Sequence, residues 1–307
     1  MSSLGRKYGG KPVRHGAMVA GILMSLAAGV VAATASPVLE KTVRVGELAV
    51  ISRYKDPDAK DGLDYAPRVA VLLRGRKVAE ARFPDGVGAP EVFVAEMDPS
   101  NGHPEVVVES YSGGAHCCEE IVVFSAPAND ADGAWRKLPL GAFDGGPRPP
   151  RDLDGDGLAE IMVRDDAFLY AYGCYACSYA PPVILSVRGG RKVDITRRPS
   201  FRPVLRKEEK RIVRRMRESM ADNGGRVENG LLAGYVALKF LLGEGAEGWN
   251  YMLRHHVPEQ QEFCPVPGRD GDCAVRPLQV SFPVSLAIML KGGYIRPADG
   301  SLSASGN

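Results

Sequence analysis

Apolar residues between positions 41 and 83 come in short runs separated by polar turns. Val43, Val45, Leu48, Val50 and Ile51 form one run. Residues 69–73 and 78–83 form two more, on either side of Arg74-Gly75-Arg76-Lys77, which reads as a hairpin turn. The stretch 56–66 is polar and turn-rich. Further apolar runs follow at 106–108, 121–124, 161–163 and 183–185. Strands this short, with turns between them, argue for antiparallel sheet and against βαβ units.

Past Thr196 the period lengthens. Arg197-Arg198-Pro199 reads as a linker. Leu205, Ile212, Met216 and Met220 then recur at steps that predict an amphipathic helix over 203–222, ended by Asn223-Gly224-Gly225. Residues 229–242 are apolar on nearly every side but too few to span a bilayer, as expected of a core helix. A third helix is predicted over 246–256, with Trp249 and Leu253 on one side. A last apolar segment over 284–290 precedes Gly292-Gly293. The pattern predicts an α+β protein. An antiparallel β-rich domain over 36–197 precedes a small helical domain over 198–298, and a disordered tail covers 299–307.

The first 35 residues differ in kind. Arg6, Lys7, Lys11 and Arg14 precede an uncharged, mostly apolar run over 17–33, and Ala33-Thr34-Ala35 offers the small-x-small pattern of a signal-peptidase site. The chain is therefore expected to be exported, periplasmic or secreted, with cleavage after Ala35. The alternative is an uncleaved membrane anchor. The formal charge of +2 over 307 residues includes this segment. Without it, 35 basic residues face 37 acidic ones, and no global charge favours nucleic acid.

The chemistry concentrates in Arg151-Asp152-Leu153-Asp154-Gly155-Asp156-Gly157-Leu158-Ala159-Glu160, which runs into the apolar triplet 161–163. Alternating carboxylates on a curled loop can converge on one point. Gly155 and Gly157 allow the positive φ that the curl needs. Asp152, Asp154, Asp156 and Glu160 are the candidate ligands, and an all-oxygen set suits Ca²⁺. An EF-hand is excluded. Counting from Asp152, its twelfth position would be Val163, and the prolines at 147, 149 and 150 block an entering helix. The order of acids, glycine, glutamate and strand resembles the calcium loop of FG-GAP (integrin-α-like) and VCBS repeats. That resemblance covers about a dozen residues. It implies a β-propeller-like blade and a calcium of mainly structural role.

A weaker copy lies upstream. Gly102 and Glu105 match Gly157 and Glu160 in spacing, and each glutamate precedes an apolar triplet. The two glutamates are 55 positions apart, compatible with one blade per copy. This copy lacks the alternating acids. Asp98, Asn101 and Glu105 are its nearest equivalents, and it is not expected to hold metal. With two copies, three if 41–90 is counted, the expectation is a partial propeller-like stack.

Each copy is followed by a cysteine-bearing loop: Ser112-Gly113-Gly114-Ala115-His116-Cys117-Cys118, then Tyr172-Gly173-Cys174-Tyr175-Ala176-Cys177. The string around His116 is also similar to secreted bacterial proteins of the VCBS type. Six cysteines beyond an export signal fit an oxidising compartment. Cys264 and Cys273 flank a turn-rich loop and are expected to pair. Cys117 and Cys118 could bridge to Cys174 and Cys177, or Cys174 to Cys177 locally; a vicinal bridge at 117–118 would be strained. A soft metal site with His116, or a redox pair at Cys174 and Cys177, are the functional alternatives.

No G-x-S-x-G, H-E-x-x-H or P-loop pattern occurs. The leading reading is an exported binding or structural module with structural Ca²⁺, whose partner is an envelope protein or glycan. Membrane contact is expected only through an uncleaved signal or the basic first helix. A metal-assisted hydrolase or thiol oxidoreductase built on the His116, Cys117, Cys118, Cys174 and Cys177 region is the competing reading.

Overall fold

The computed structural model describes residues 38–56, 58, 65–114, 118–128, 133–145, 149–266 and 273–296. The export segment, His116, Cys117 and the tail from 299 lie outside them.

Two four-stranded antiparallel meanders come first. One is β1 (Leu39–Val45), β2 (Leu48–Tyr54), β3 (Arg68–Leu73) and β4 (Arg76–Arg82). The other is β5 (Glu91–Ala95), β6 (Glu105–Tyr111), β7 (Glu119–Ser125) and β8 (Arg136–Phe143). A three-stranded meander follows: β9 (Ile161–Arg164), β10 (Pro182–Val187) and β11 (Lys192–Asp194). What read as one run over 43–51 is two strands, because Gly46 at φ +55° turns the chain back on itself.

The sheets stack by their faces. Strand side chains alternate in direction. Val106 and Val108 of β6 join Val50 and Val71 of the first sheet and Phe83 just after it, while Val107 joins Ile161, Val163, Val183 and Leu185 of the third. β6 is thus buried on both sides, which is why its sequence reads as a continuous apolar run and not an alternation. The outer face of β10 is closed by Ile195 and Phe201, where the helices begin. The described residues form a stack of blade-like meanders and no closed barrel or propeller ring.

Among the described residues four α-helices follow: α1 (Arg202–Asp222), α2 (Asn229–Leu241), α3 (Gly245–His255) and α4 (Phe282–Leu290). α2 is buried along almost its whole length, and the others pack around it. A hairpin of β12 (Gln260–Phe263) and β13 (Leu278–Ser281) separates α3 from α4. Phe168, Tyr172 and Tyr179, from the loop between β9 and β10, enter the helical core. The stretch expected as a linker is fastened: Arg197 donates to the carbonyls of Phe240 at 3.0 Å, Gly293 at 3.0 Å and Tyr294 at 2.8 Å.

One ionic cluster locks α1 to α2 and α3. Lys239, 2 % exposed, donates to Glu209 and Glu247 at 3.0 Å and to Glu244, which also takes Arg206. The hydrogen bond from Arg206, then that from Lys239, holds the Glu244 carboxyl down at about 2. Its folded pKa therefore lies below its unfolded value. The stability it supplies is complete above about pH 4.5 and is lost as pH falls toward about 2. We expect Glu244→Gln to lower Tm at about pH 5 and to converge with the wild type near pH 2; a melting series across that range reads the difference.

Candidate metal centre

Both repeat loops connect paired residues. Ala95 opposes Glu105 in the first, and Arg151 opposes Glu160 in the second, through bonds of 2.8 and 2.9 Å between their backbones. Each glutamate therefore stands at the same place, at the foot of a strand and beneath its loop. The equivalence read from sequence is an equivalence in register.

The second loop winds on its own carboxylates. Asp152 accepts from the amides of Gly155 at 2.6 Å and Gly157 at 3.0 Å. Asp154 accepts from Asp156 at 3.3 Å, and Asp156 from Leu158 at 2.9 Å. Gly155 and Gly157 sit at φ +85° and +87°, where an L side chain would be strained. These turns bring carboxylate oxygens of Asp152, Asp154 and Asp156 within 4.8 Å of one another. The amides from Gly157 and Gly155 keep the Asp152 carboxyl below its usual range.

Glu160 is 1 % exposed. Its Oε2 accepts from the Leu153 amide at 3.0 Å, whereas Oε1 is buried without a hydrogen bond and 4.0 Å from the Arg188 guanidinium. Burial, together with the charges of Asp154 and Asp156, pushes its carboxyl up to about 7, against the pull of the Leu153 amide and Arg188. Arg188 also lies 3.9 Å from Asp156 and donates to the Met97 carbonyl in the first loop. It comes from the turn after β10, and nothing in the sequence marks it as a partner of residue 160.

The first loop solves the same problem with protein groups. Glu105 Oε2 accepts from the amides of Met97 at 2.8 Å and Asp98 at 2.9 Å, and Oε1 from Asn101 at 3.0 Å and Ser125 at 2.8 Å. Asp98 accepts from Gly190 at 2.6 Å and Ser100 at 3.1 Å. Both oxygens of Glu105 are satisfied, and one oxygen of Glu160 is not. The second loop thus brings three carboxylates together, Asp152, Asp154 and Asp156, while Glu160 stands at the base of the same hairpin outside that group, with one guanidinium nearby and one buried acceptor unfilled. That donor chemistry fits a hard cation such as Ca²⁺.

Cys174 is bonded to Cys177 and Cys264 to Cys273. Cys118 is also in a disulfide. Cys174 and Cys177 take the local pairing of those expected and so are not available to bridge to the other cysteine loop. The Cys174–Cys177 pair sits in a turn ahead of β10 and opens no helix. Its backbone lies against α2 at Gly230, where an added Cβ would stand 2.6 Å from the Cys177 carbonyl oxygen. His116 and Cys117 lie outside the described residues. On α1, Arg206 pairs with Glu209 at 2.7 Å and Arg211 with Glu208 at 2.9 Å, while Arg215 donates to the carbonyls of Ala176 at 2.6 Å and Ser178 at 3.1 Å. Part of the basic face is turned toward the rest of the protein.

Residues 206–293, from α1 to just past α4, match the family described as the sll0997 C-terminal domain. Over 268 residues the chain is 33 % identical to the "Probable thylakoid lumen protein sll0997" of Synechocystis sp. (strain ATCC 27184 / PCC 6803 / Kazusa), covering 84 % of this chain and 77 % of that protein. The chain belongs to the sll0997 family. A second relative, the "Uncharacterized protein y4bJ" of Sinorhizobium fredii (strain NBRC 101917 / NGR234), is 31 % identical over 222 residues, 70 % of this chain but only 34 % of that longer protein. No solved structure matches the chain. The sll0997 match reaches well beyond the helical domain, so membership does not rest on the helices alone. No helix among the described residues is long and apolar enough to cross a membrane.

Proposed function

We propose that this sll0997-family protein is an extracytoplasmic binding module whose β stack is stabilised by one structural Ca²⁺ at Asp152, Asp154, Asp156 and Glu160. The observation that carries the proposal is the contrast between the two glutamates. Glu105 has both oxygens filled by protein groups, whereas Glu160, in the same hairpin as the three converging carboxylates, keeps one buried oxygen unfilled. A buried acceptor left unfilled costs roughly 1–3 kcal/mol, and a cation bound by the loop would relieve both that cost and the carboxylate repulsion. The loop's order of acids and glycines supports reading it as an FG-GAP or VCBS calcium loop in a divergent stack. The export segment and the lumenal relative named above support a compartment outside the cytoplasm.

The ion's role in this reading is to pin the 151–160 hairpin onto the third sheet, not to carry out chemistry. Isothermal calorimetry of the purified protein against CaCl₂ tests it. We expect one site per chain, lost in Asp154→Ala and weakened about tenfold or more in Glu160→Gln. Equal heats from wild type and Asp154→Ala would remove the calcium from the account.

A further inference from the structure

A cleft of about 400 Å³ lies between the 174–180 loop and α1, away from the acidic loop. Its lining carries four arginines, Arg164, Arg211, Arg214 and Arg215, against two carboxylates, Asp144 and Glu208. We propose that this cleft is a binding site for a phosphate-type oxyanion. The proposal gives a ligand class to the binding-module reading and rests on it, but it uses none of the calcium residues.

Three of the four arginines come from α1. Arg211, Arg214 and Arg215 are three and four apart, so they share one side of the helix. That side faces the loop carrying the Cys174–Cys177 disulfide. Arg215 is fixed there by the carbonyls of Ala176 and Ser178, which orient its guanidinium without neutralising it. Arg164 enters from the end of β9. It is held by Glu208 at 2.7 Å and by Tyr179 and the Ala180 carbonyl, each at 3.4 Å. Glu208 is shared, since its other oxygen takes Arg211 at 2.9 Å. One buried carboxylate thus positions two guanidiniums. Asp144 stands at the cleft's side and accepts from Tyr175.

The cleft therefore has a net excess of two positive charges, with Arg164, Arg211 and Arg215 held by protein partners and Arg214 exposed beside them. Planar guanidiniums arriving from a strand end and from two turns of a helix suit an acceptor with oxygens pointing in several directions. A tetrahedral phosphate has that shape, and arginine favours it over a point acceptor. The volume lies at the lower end of ligand pockets, enough for a phosphate or a pyrophosphate with part of its substituent. Tyr170 lies beside the cleft, 58 % exposed, at φ +60°, with its ring 5.6 Å from that of Tyr175. A non-glycine residue kept in that conformation at an exposed aromatic pair is unusual for a solvent turn, and its ring offers a flat face to the rest of a ligand.

The test is direct titration of the purified protein with inorganic pyrophosphate and, in a parallel arm, sedimentation with phosphatidylglycerol vesicles, both at low salt. We expect saturable pyrophosphate binding that weakens about tenfold or more in Arg214→Glu and tightens several-fold in Asp144→Asn. Lys77→Ala, on the first sheet, leaves it unchanged. Vesicle binding that Arg214→Glu removes would assign the phosphate to a lipid headgroup, while binding to pyrophosphate alone would assign it to a soluble ligand. Either outcome supports the site. Binding by neither probe, or binding that Arg214→Glu leaves intact, overturns it. Because Asp154→Ala does not touch the cleft, a chain that responds to calcium but to neither phosphate probe overturns this proposal and leaves the calcium reading standing.

Discussion

Gly234→Ala is expected to lower Tm by roughly 6–12 °C, the equivalent of about 3 kcal/mol. Position 234 lies inside α2, and in a helix interior alanine is favoured over glycine by about 1 kcal/mol. On propensity alone the substitution would stabilise. The packing reverses the sign. An added Cβ would stand on the Tyr179 carbonyl oxygen and 2.7 Å from Cδ1 of its ring. A backbone oxygen cannot swing aside as the end of a side chain can. Gly230, one turn earlier, meets Cys177 and Ser178 in the same way, and its carbonyl takes the Tyr179 amide at 3.3 Å. These two glycines let α2 lie directly on the 177–179 backbone, joining the helices to the β stack. Thermal unfolding of Gly234→Ala decides between the two effects, since a Tm equal to or above wild type would mean that this close approach is not maintained.

The second large effect is expected at Arg164. Its side chain is 18 % exposed and that of Glu208 is 4 %, so Arg164→Ala leaves a carboxylate buried. Breaking such a pair costs about 3–5 kcal/mol. Arg211 remains as a partner, so the lower end is expected. The pH dependence carries the diagnosis. In the wild type burial would raise the Glu208 carboxyl, but the hydrogen bond and charge of Arg164 pull it below its ordinary value. Its stabilisation is then present above the unfolded pKa and is lost as pH falls. Without Arg164 burial prevails, the folded pKa lies above the unfolded one, and stability drops as pH rises through the carboxylate range. The gap between wild type and Arg164→Ala should therefore widen from about pH 4 to pH 7 in urea titrations. Arg164→Met with Glu208→Leu, which removes both charges, should recover most of the loss.

Much of the fold was legible because each buried element leaves its own period in the chain. β6, β7 and β10 are buried on both faces and read as apolar runs, β9 buries Ile161 and Val163 on one face, and α1 to α4 fall close to their expected spans. β8 was missed for a physical reason. It is an edge strand, so it tolerates Pro139, and it is half exposed, so no run forms; Gly141 at φ +133° falls where its pairing with β7 shifts register. β12 and β13 were missed because both are short and carry few apolar residues, although Cys264 and Cys273, within the loop between them, did predict its bridge.

At the acidic loop the convergence of Asp152, Asp154 and Asp156 was legible, since alternation and glycine placement are local. The sequence did not carry Arg188 or the buried state of Glu160, which depend on how the sheets stack, nor, in the first loop, the Ser125 that reaches Glu105 from the neighbouring strand β7. Glu208 was likewise invisible as a buried residue, because among the charges of α1 only tertiary contact distinguishes the one facing Arg164 from those facing water.

Calcium binding at 152–160 is the proposal on which the stability of the β stack turns. It is tested most directly by thermal unfolding of the purified protein in EDTA and then across a Ca²⁺ titration to about 10 mM, the weak end of extracellular sites. The account predicts a saturable rise in Tm that is absent in Asp154→Ala, with the EDTA-treated wild type melting near the variant. A Tm indifferent to both EDTA and Ca²⁺, with Asp154→Ala indistinguishable from wild type, would contradict it.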